Sequence, residues 1–227
     1  QIDNGVVTTA TFGPDNPSGA NFRSLPPTTD PARYFPKLSS VIQGELTQTE
    51  PGINDAWETV SNVARNFEFA FTVRDNAAGG GQVVSDVLNV EVVSSAGPFT
   101  VTSQGTNEVY EGGSTQQVTW DVSNTNILPV NAQTVDIMLS LDGGLTFPIT
   151  LADDTLNDGE EEILIPGDAT TTARIMVISS SGTFFDISDS NFTITGATNE
   201  YDISATPTHV DICSGTNAVY TINSQAI

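Results

Sequence analysis

The sequence is poor in the residues that build most metal and redox sites. It has one cysteine, Cys213, and one histidine, His209, in 227 residues. A single cysteine excludes a disulfide framework within the chain and a zinc site of several cysteines. A single histidine excludes a site with two or three histidine ligands. The HExxH, GxSxG and phosphate-binding loop motifs are also missing. The residues therefore indicate no catalytic site and no bound Zn²⁺.

Basic residues are scarce as well. Six Lys+Arg stand against 28 Asp+Glu, for a formal net charge of −22. Such a chain cannot neutralise phosphate, which argues against a nucleic-acid partner, and an anionic membrane surface repels it. No apolar run approaches the ~20 residues that span a bilayer, so we expect no membrane insertion. The acid excess is densest in residues 98–195, which hold 14 acids and only Arg174 as a base.

Period-two alternation of apolar and polar residues dominates the chain. Residues 67–74, 118–122 and 135–141 alternate in the way that half-buried strands do, and helix-period segments are almost absent. We therefore predict an all-β fold of tandem immunoglobulin/fibronectin III-like β-sandwiches, for which about 100 residues per domain is usual.

Linker-like stretches at 94–98 and 195–199 set the expected boundaries. Residues 1–96 form a first sandwich, either complete or without its first strands, with a proline-rich insertion over 11–38. Residues 97–195 form a second sandwich. Residues 196–227 are too short to bury a core, so we interpret them as the truncated start of a further repeat. Together with a chain that begins at Gln1, this predicts a segment of a longer protein.

Three acidic groups are the best candidates for a bound cation, because Ca²⁺ takes six to eight oxygen ligands. Their spacing is not that of an EF-hand, and the competing interpretation of each is a solvated acidic loop. The first group is Asp153, Asp154, Asn157, Asp158 and Glu160; the second is Asp186 and Asp189 with Asn191; the third is Asp75 with Asn76, and Asp86 across a predicted hairpin.

Residues 140–147 fit the Asp-box pattern S-x-D-x-G-x-T-[WF]. We interpret its members, Ser140, Asp142, Gly144, Thr146 and Phe147, as a structural β-hairpin in which the aspartate binds turn amides. Separately, Tyr34, Phe35 and Trp57 are the one nearby aromatic set that could form a ligand-binding platform. The competing interpretation is that they pack an insertion onto the first sandwich.

Several longer segments resemble a known family. These are residues 22–29, 31–38 with its Arg-Tyr-Phe-Pro, 71–76 with 79–81, and 118–122 with 141–144. Together they resemble the region after the catalytic domain in large secreted reprolysin-like (M12B-type) zinc metallopeptidases of Bacteroidetes, over about residues 1–195. That family's HExxHxxGxxH zinc motif is absent here, so no catalytic residue carries over. The resemblance implies an extracellular accessory region.

We therefore expect a non-catalytic β-sandwich accessory or spacer region of a secreted or cell-surface bacterial protein, with Ca²⁺ as a stabilising cofactor. Its expected partners are other domains of the same parent chain, or a protein or glycan at the cell surface. One alternative is an adhesin or carbohydrate-binding module. The other is a fragment whose parent is a zinc metallopeptidase.

Overall fold

A computed structural model describes residues 1–2, 5–30, 32–197, 201–206, 209, 211, 213–215, 217–219 and 221–226. Nearly all of its secondary structure is strand. The elements are α1 (Leu38–Val41), β1 (Arg65–Arg74), β2 (Val83–Val92), β3 (Thr100–Val101), β4 (Val109–Glu111), β5 (Thr115–Asp121), β6 (Thr134–Ser140), β7 (Ile149–Leu156), β8 (Glu160–Leu164), β9 (Thr170–Ser179), β10 (Phe185–Ile187), β11 (Phe192–Thr195), β12 (Tyr201–Thr206) and β13 (Thr221–Ala226).

Strands β3 to β11 form two sheets that share one hydrophobic core. The three-stranded sheet has the order β3-β5-β8. The six-stranded sheet has the order β4-β11-β9-β6-β7, with β10 paired to β9. Side chains from both sheets, such as Trp120 on β5 and Ile137 on β6, are buried in this core. The prediction of an all-β fold is confirmed.

Strand β9 buries both of its faces. Ile175 and Val177 lie in the shared core, whereas Met176 between them belongs to a second cluster on the outer face of the six-stranded sheet. The cover of this outer face is residues 34–42, which include α1 and which we call the docking segment. Its side chains in contact with the cluster are Tyr34, Leu38, Val41 and Ile42. The sandwich and the preceding chain are therefore joined by a packed apolar contact.

Hydrogen bonds, more than secondary structure, hold the chain before β1. The buried Arg65 donates from Nη1 to the carbonyl of Asn16 at 2.9 Å and to Oδ1 of Asn21 at 3.1 Å. Its Nη2 donates to the carbonyl of Gly19 at 2.6 Å. The guanidinium also lies 4.2 Å from the centre of the Phe67 ring. These contacts fasten the loop around residues 16–21 to the start of β1.

Strands β1 and β2 form a two-stranded ribbon with one mostly apolar and one mixed face. The antiparallel register places on the mostly apolar face Phe67, Phe69, Phe71, Val73, Val84, Leu88 and Val90, with Asp86 opposite Phe71. At the base, Phe22 packs against Phe67 and Phe69 at ring distances of 5.9 and 6.1 Å. Farther along, Phe71 is 55% exposed and Leu88 is 60% exposed. Only the base of this face is therefore covered.

Residues 1–96 differ from the sandwich that we expected there. In the part of this segment that the structure describes, the ribbon is the one sheet, and irregular chain covers its base in place of a second sheet. Proline explains part of this difference, because it lacks the N–H that a strand needs and the stretch over 11–38 holds six prolines. The proposed domain boundaries themselves stay a prediction.

Near the end of the chain, β12 and β13 pair antiparallel as a further two-stranded sheet. Among the described residues, no helix has both the length and the apolar character needed to cross a bilayer.

Candidate functional site

Asp153 and Asp154, from the first acidic group, form a β-bulge in β7. The two residues together oppose the single Asp136 on β6. Asp154 has a φ of 50°, and its N–H donates to Oδ1 of Asp136 at 3.0 Å. Its own Oδ1 accepts a hydrogen bond from Thr134 Oγ1 at 3.2 Å. The acidic pair thus takes part in a bend of the edge strand.

Asn157, from the same group, is a buried hydrogen-bonding hub with 3% exposure. Its Oδ1 accepts the indole hydrogen of Trp120 at 2.9 Å. Its Nδ2 donates to Thr125 Oγ1 and to the carbonyl of Ala132, both at 3.0 Å. The side chain therefore connects the core tryptophan to the loop between β5 and β6.

The remaining members of the first group lie in solvent. Asp158 is exposed in the turn between β7 and β8, and Glu160 begins β8. Glu160 Oε2 accepts a hydrogen bond from Gln117 Nε2 at 3.0 Å. Because β8 is the outer strand of its sheet, the acids at 160–162 lie where charge opposes pairing with the edge of another chain.

The second group lies where the two sheets meet. Asp186 Oδ2 accepts the backbone N–H of Val101 at 2.8 Å, which connects β10 with β3. Burial raises the pKa of Asp186, the nearby charge of Asp189 raises it further, and the N–H groups of Val101 and Ile187 oppose the shift. The carboxyl therefore holds its proton to a higher pH in the folded state than an ordinary aspartate does.

Arg174 brings a positive charge into this second group. Its Nε donates to Asn191 Oδ1 at 2.7 Å and its Nη1 donates to the carbonyl of Ser188 at 2.8 Å. Burial lowers the pKa of Arg174, and the charge of Asp189 opposes that shift. The positive charge of the Arg174 guanidinium therefore already offsets part of the negative charge of Asp189.

We expect Asp186→Asn to gain stability over the wild type as the pH rises from about 4 to 7. A raised carboxyl pKa means that the folded state binds the proton more tightly, so the stability from Asp186 is lost as the pH rises through the folded pKa. The asparagine oxygen still accepts from Val101, but it carries no charge. Urea unfolding of both proteins across this range measures the difference. A difference that stays constant with pH would contradict the raised pKa.

The structure separates the two acids of the third group. Asp86 pairs with Phe71 across the ribbon, and Asp75 lies four residues beyond Phe71, about 13 Å along the strand. Asp75 Oδ1 accepts the backbone N–H groups of Ala77 at 3.1 Å and Gln82 at 2.9 Å in the ribbon turn. Asp86 therefore contributes no ligand beside Asp75.

Within the part of the chain that the structure describes, no group of three or more His, Cys, Asp or Glu side chains is arranged to hold a metal ion. The calcium sites stay a prediction.

In the Asp-box segment, one carboxylate organises the turn. Asp142 Oδ1 accepts the backbone N–H groups of Leu145 at 3.1 Å and Thr146 at 2.9 Å, and Oδ2 accepts from Thr146 Oγ1 at 2.7 Å. Ser140 Oγ donates to Asp142 at 2.7 Å and accepts the N–H of Gly144 at 2.8 Å. Burial alone raises the pKa of Asp142, but the hydrogen bonds together lower it below its ordinary value.

The same turn also receives the docking segment. Phe147 belongs to the outer cluster, and Gly144 approaches Ile42 so closely that a Cβ at position 144 would lie 2.6 Å from Ile42 Cγ2. Gly144 has a φ of 93°, which side chains other than glycine rarely adopt. The Asp-box glycine thus serves both the turn and the contact with the docking segment.

We expect Asp142→Ala to lower the free energy of unfolding by about 1 kcal/mol at pH 7, because several turn hydrogen bonds to an exposed carboxylate are lost. Since the folded pKa is lowered, this contribution is present above the unfolded pKa and disappears as the pH falls through the folded value. Chemical denaturation at several pH values measures it, with the exposed Asp168→Ala as the control. Equal effects of the two substitutions would contradict the assigned role.

The three aromatic candidates lie on different partners. Tyr34 packs against the outer cluster of the sandwich. Phe35 packs against Phe69 at a ring distance of 4.9 Å. Trp57 packs edge-on against Phe12 at 5.3 Å, and its Nε1 donates to a loop carbonyl. The structure does not bring these rings together as one platform.

A polar groove that the docking segment partly lines was missed by the sequence interpretation. It has a volume of about 460 Å³, and its lining includes Lys37, Glu45, Asp55 and Glu58. We call it the Glu58 groove. The backbone of Glu58 forms an isolated antiparallel β-bridge with Phe22. These two residues are far apart in an irregular part of the chain, and no local sequence pattern predicts such a contact.

Comparison of the chain with protein-family models, with curated proteins and with solved structures gives no match in any of the three.

Proposed function

We propose that the chain is a non-catalytic accessory and spacer region of a large secreted or cell-surface bacterial protein. Its central unit would be an immunoglobulin/fibronectin III-like sandwich. The observation that supports this proposal is the packing of the docking segment onto the outer face of the six-stranded sheet, where Met176 becomes fully buried. A spacer has to hold its two ends in a fixed relation, and a buried apolar contact resists the swinging that a bare linker permits.

The described polar groups at the candidate sites also agree with a structural role. Asn157 and Asp186 use side-chain oxygens for hydrogen bonds that join separate strands or loops, and Asp142 uses its oxygens to hold its own turn. In this proposal the parent is a zinc metallopeptidase of the family that the sequence resembles, and the partners are its other domains. The exposed, mostly apolar side chains of the β1–β2 ribbon, such as Phe71 and Leu88, favour packing against such a domain.

The experiment for this proposal is a proteolysis assay of the 227-residue chain on unfolded casein, with and without Zn²⁺. We expect no cleavage under either condition. Metal-dependent cleavage that survives removal of contaminating proteases would overturn the non-catalytic proposal in favour of a peptidase.

Calcium binding is the second part of the proposal, and the dense negative charge of residues 98–195 supports it. Thermal unfolding in EGTA and in millimolar Ca²⁺ measures it. A site filled at about 100 times its Kd adds about 2.7 kcal/mol to the stability, so we expect a higher midpoint in Ca²⁺. Mg²⁺ at the same concentration controls for ionic strength. An unfolding midpoint that is the same in EGTA and in Ca²⁺ would contradict calcium binding.

A further inference from the structure

The Glu58 carboxylate is buried in an unusual state. Glu58 is 3% exposed, and its Oε2 accepts the backbone N–H of Lys37 at 3.2 Å. Its Oε1 is also buried and has no hydrogen-bond partner among the described residues. A buried carboxylate oxygen without a donor costs more free energy than an ordinary hydrogen bond returns. Native proteins therefore leave few such atoms unsatisfied, and each one calls for an explanation.

The groove that Glu58 lines has the composition of a binding site for a cation. Its charged lining consists of the acids Glu45, Asp55 and Glu58 against one base, Lys37. The other described lining residues are polar except Ala56, and none of them is aromatic. The net charge of −22 also attracts positive groups. It raises the concentration of cations near the protein surface and the rate at which they meet the groove.

The size of the groove indicates an organic cation. A volume of about 460 Å³ lies in the range of small-molecule sites and far exceeds that of a single metal ion. An ionised carboxylate accepts hydrogen bonds and donates none, so an organic partner that hydrogen-bonds to it has to carry N–H or O–H groups. A long side chain that ends in ammonium or guanidinium combines the charge, the donors and the reach.

We infer that the Glu58 groove binds a lysine or arginine side chain of another polypeptide, with its cationic end at the Glu58 carboxylate. The amide and hydroxyl groups along the groove, such as those of Gln43 and Thr47, then face the stem and peptide groups of the bound residue. This function is separate from the spacer role: the docking segment supplies Lys37, Ser39 and Ser40 to the groove lining, but the groove needs no further domain. Either proposal can fail without the other.

The probes for this inference are the N-acetyl N-methylamides of lysine and arginine, titrated into the full chain by heteronuclear NMR. We expect saturable shifts of the amides of residues 37–48 and 55–58. The norleucine counterpart has the same stem without the charge, and we expect no saturable shift with it. Tetramethylammonium, a cation without N–H donors, controls for general attraction to the acidic surface.

Variants separate the groove from general electrostatics. Glu58→Gln keeps an acceptor for Lys37 and removes the charge, and we expect the affinity for the lysine probe to fall about tenfold or more. Glu45→Gln, at an exposed position on the groove rim, should weaken binding by a smaller factor with the fold intact. Glu91→Gln makes the same charge change on the ribbon, away from the groove, and should leave the affinity unchanged.

Several results would overturn the inference. These are no saturable binding of either cationic probe, equal binding of the norleucine probe, and equal losses in Glu45→Gln and Glu91→Gln. Saturation of the same amides by methyl glucoside or by Ca²⁺, with no response to the lysine probe, would assign the groove to a sugar or to a metal instead. If Glu58→Gln fails to fold, the comparison of Glu45→Gln with Glu91→Gln still decides the outcome.

Discussion

Asn157→Ala is expected to lower the free energy of unfolding by about 3 kcal/mol. The substitution leaves the buried indole N–H of Trp120 without an acceptor and frees two further groups, Thr125 Oγ1 and the Ala132 carbonyl, from their donor. Each unsatisfied buried polar group costs about 1–3 kcal/mol, and partial access of water to the loop reduces the sum. Urea denaturation followed by tryptophan fluorescence measures the effect.

Asp158→Ala is the matched control, because Asp158 is the next residue and is exposed in the turn. We expect its effect to stay within about 0.5 kcal/mol. Both variants should be measured in EGTA and in Ca²⁺. The hub role predicts the same loss for Asn157→Ala in both conditions. A loss that appears only in Ca²⁺ would show instead that Asn157 is a calcium ligand.

Ile42→Asp is expected to release the docking segment from the sandwich. The aspartate would place a charge on the apolar outer cluster, at the position where Ile42 contacts Gly144. Ile42 is partly buried, so loss of its side chain alone removes about 1 kcal/mol, and desolvation of the carboxylate adds to this cost. We expect faster amide hydrogen exchange over residues 34–42. Strands β6 and β9 should largely keep their protection, because their other face is buried in the core shared by the two sheets.

Ile53→Asp provides the control for this experiment. Ile53 lies in the same N-terminal region but is 90% exposed, so the same charge is introduced without loss of a contact. Unchanged exchange in this variant and faster exchange in Ile42→Asp support the docked arrangement. Equal exchange in the two variants would mean that the Ile42 contact contributes nothing to holding the segment.

The sandwich core was predictable from local pattern. Val118 and Trp120 alternate with polar residues along β5, and both are buried in the shared core. The Asp-box pattern likewise predicted a turn held by one aspartate. Its hydrogen bonds connect residues only three or four positions apart, so the local sequence specifies them. Period-two alternation and turn chemistry are local properties, so a single sequence carries them.

The outer face of the six-stranded sheet was not predicted, although the sequence holds a sign of it. Residues 175–178 are all apolar, a run typical of a strand buried on both sides. What covers such a strand depends on a long-range contact, here with residues 34–42 across more than a hundred residues of chain. Alternation alone gives no information about that partner.

The acidic groups show that residues close in the sequence can lie in different surroundings in the structure. Clustering of Asp153 to Glu160 in the sequence suggested one site, but the bulge, the buried Asn157 and the edge strand place these side chains in different surroundings. Glu45 lies thirteen residues before Glu58 in the sequence, yet folding places both side chains in one groove together with Asp55. Proximity along the chain is a weak guide to proximity in a fold whose loops are irregular.

The most direct test of the spacer account is the distance between the docking segment and the sandwich in solution. Spin labels at Gln43→Cys and Leu164→Cys, in a Cys213→Ser background, place one label next to α1 and the other on the exposed face of β8. The account predicts a single narrow distance distribution in pulsed electron paramagnetic resonance, which broadens on addition of Ile42→Asp. A broad distribution already without Ile42→Asp would contradict it.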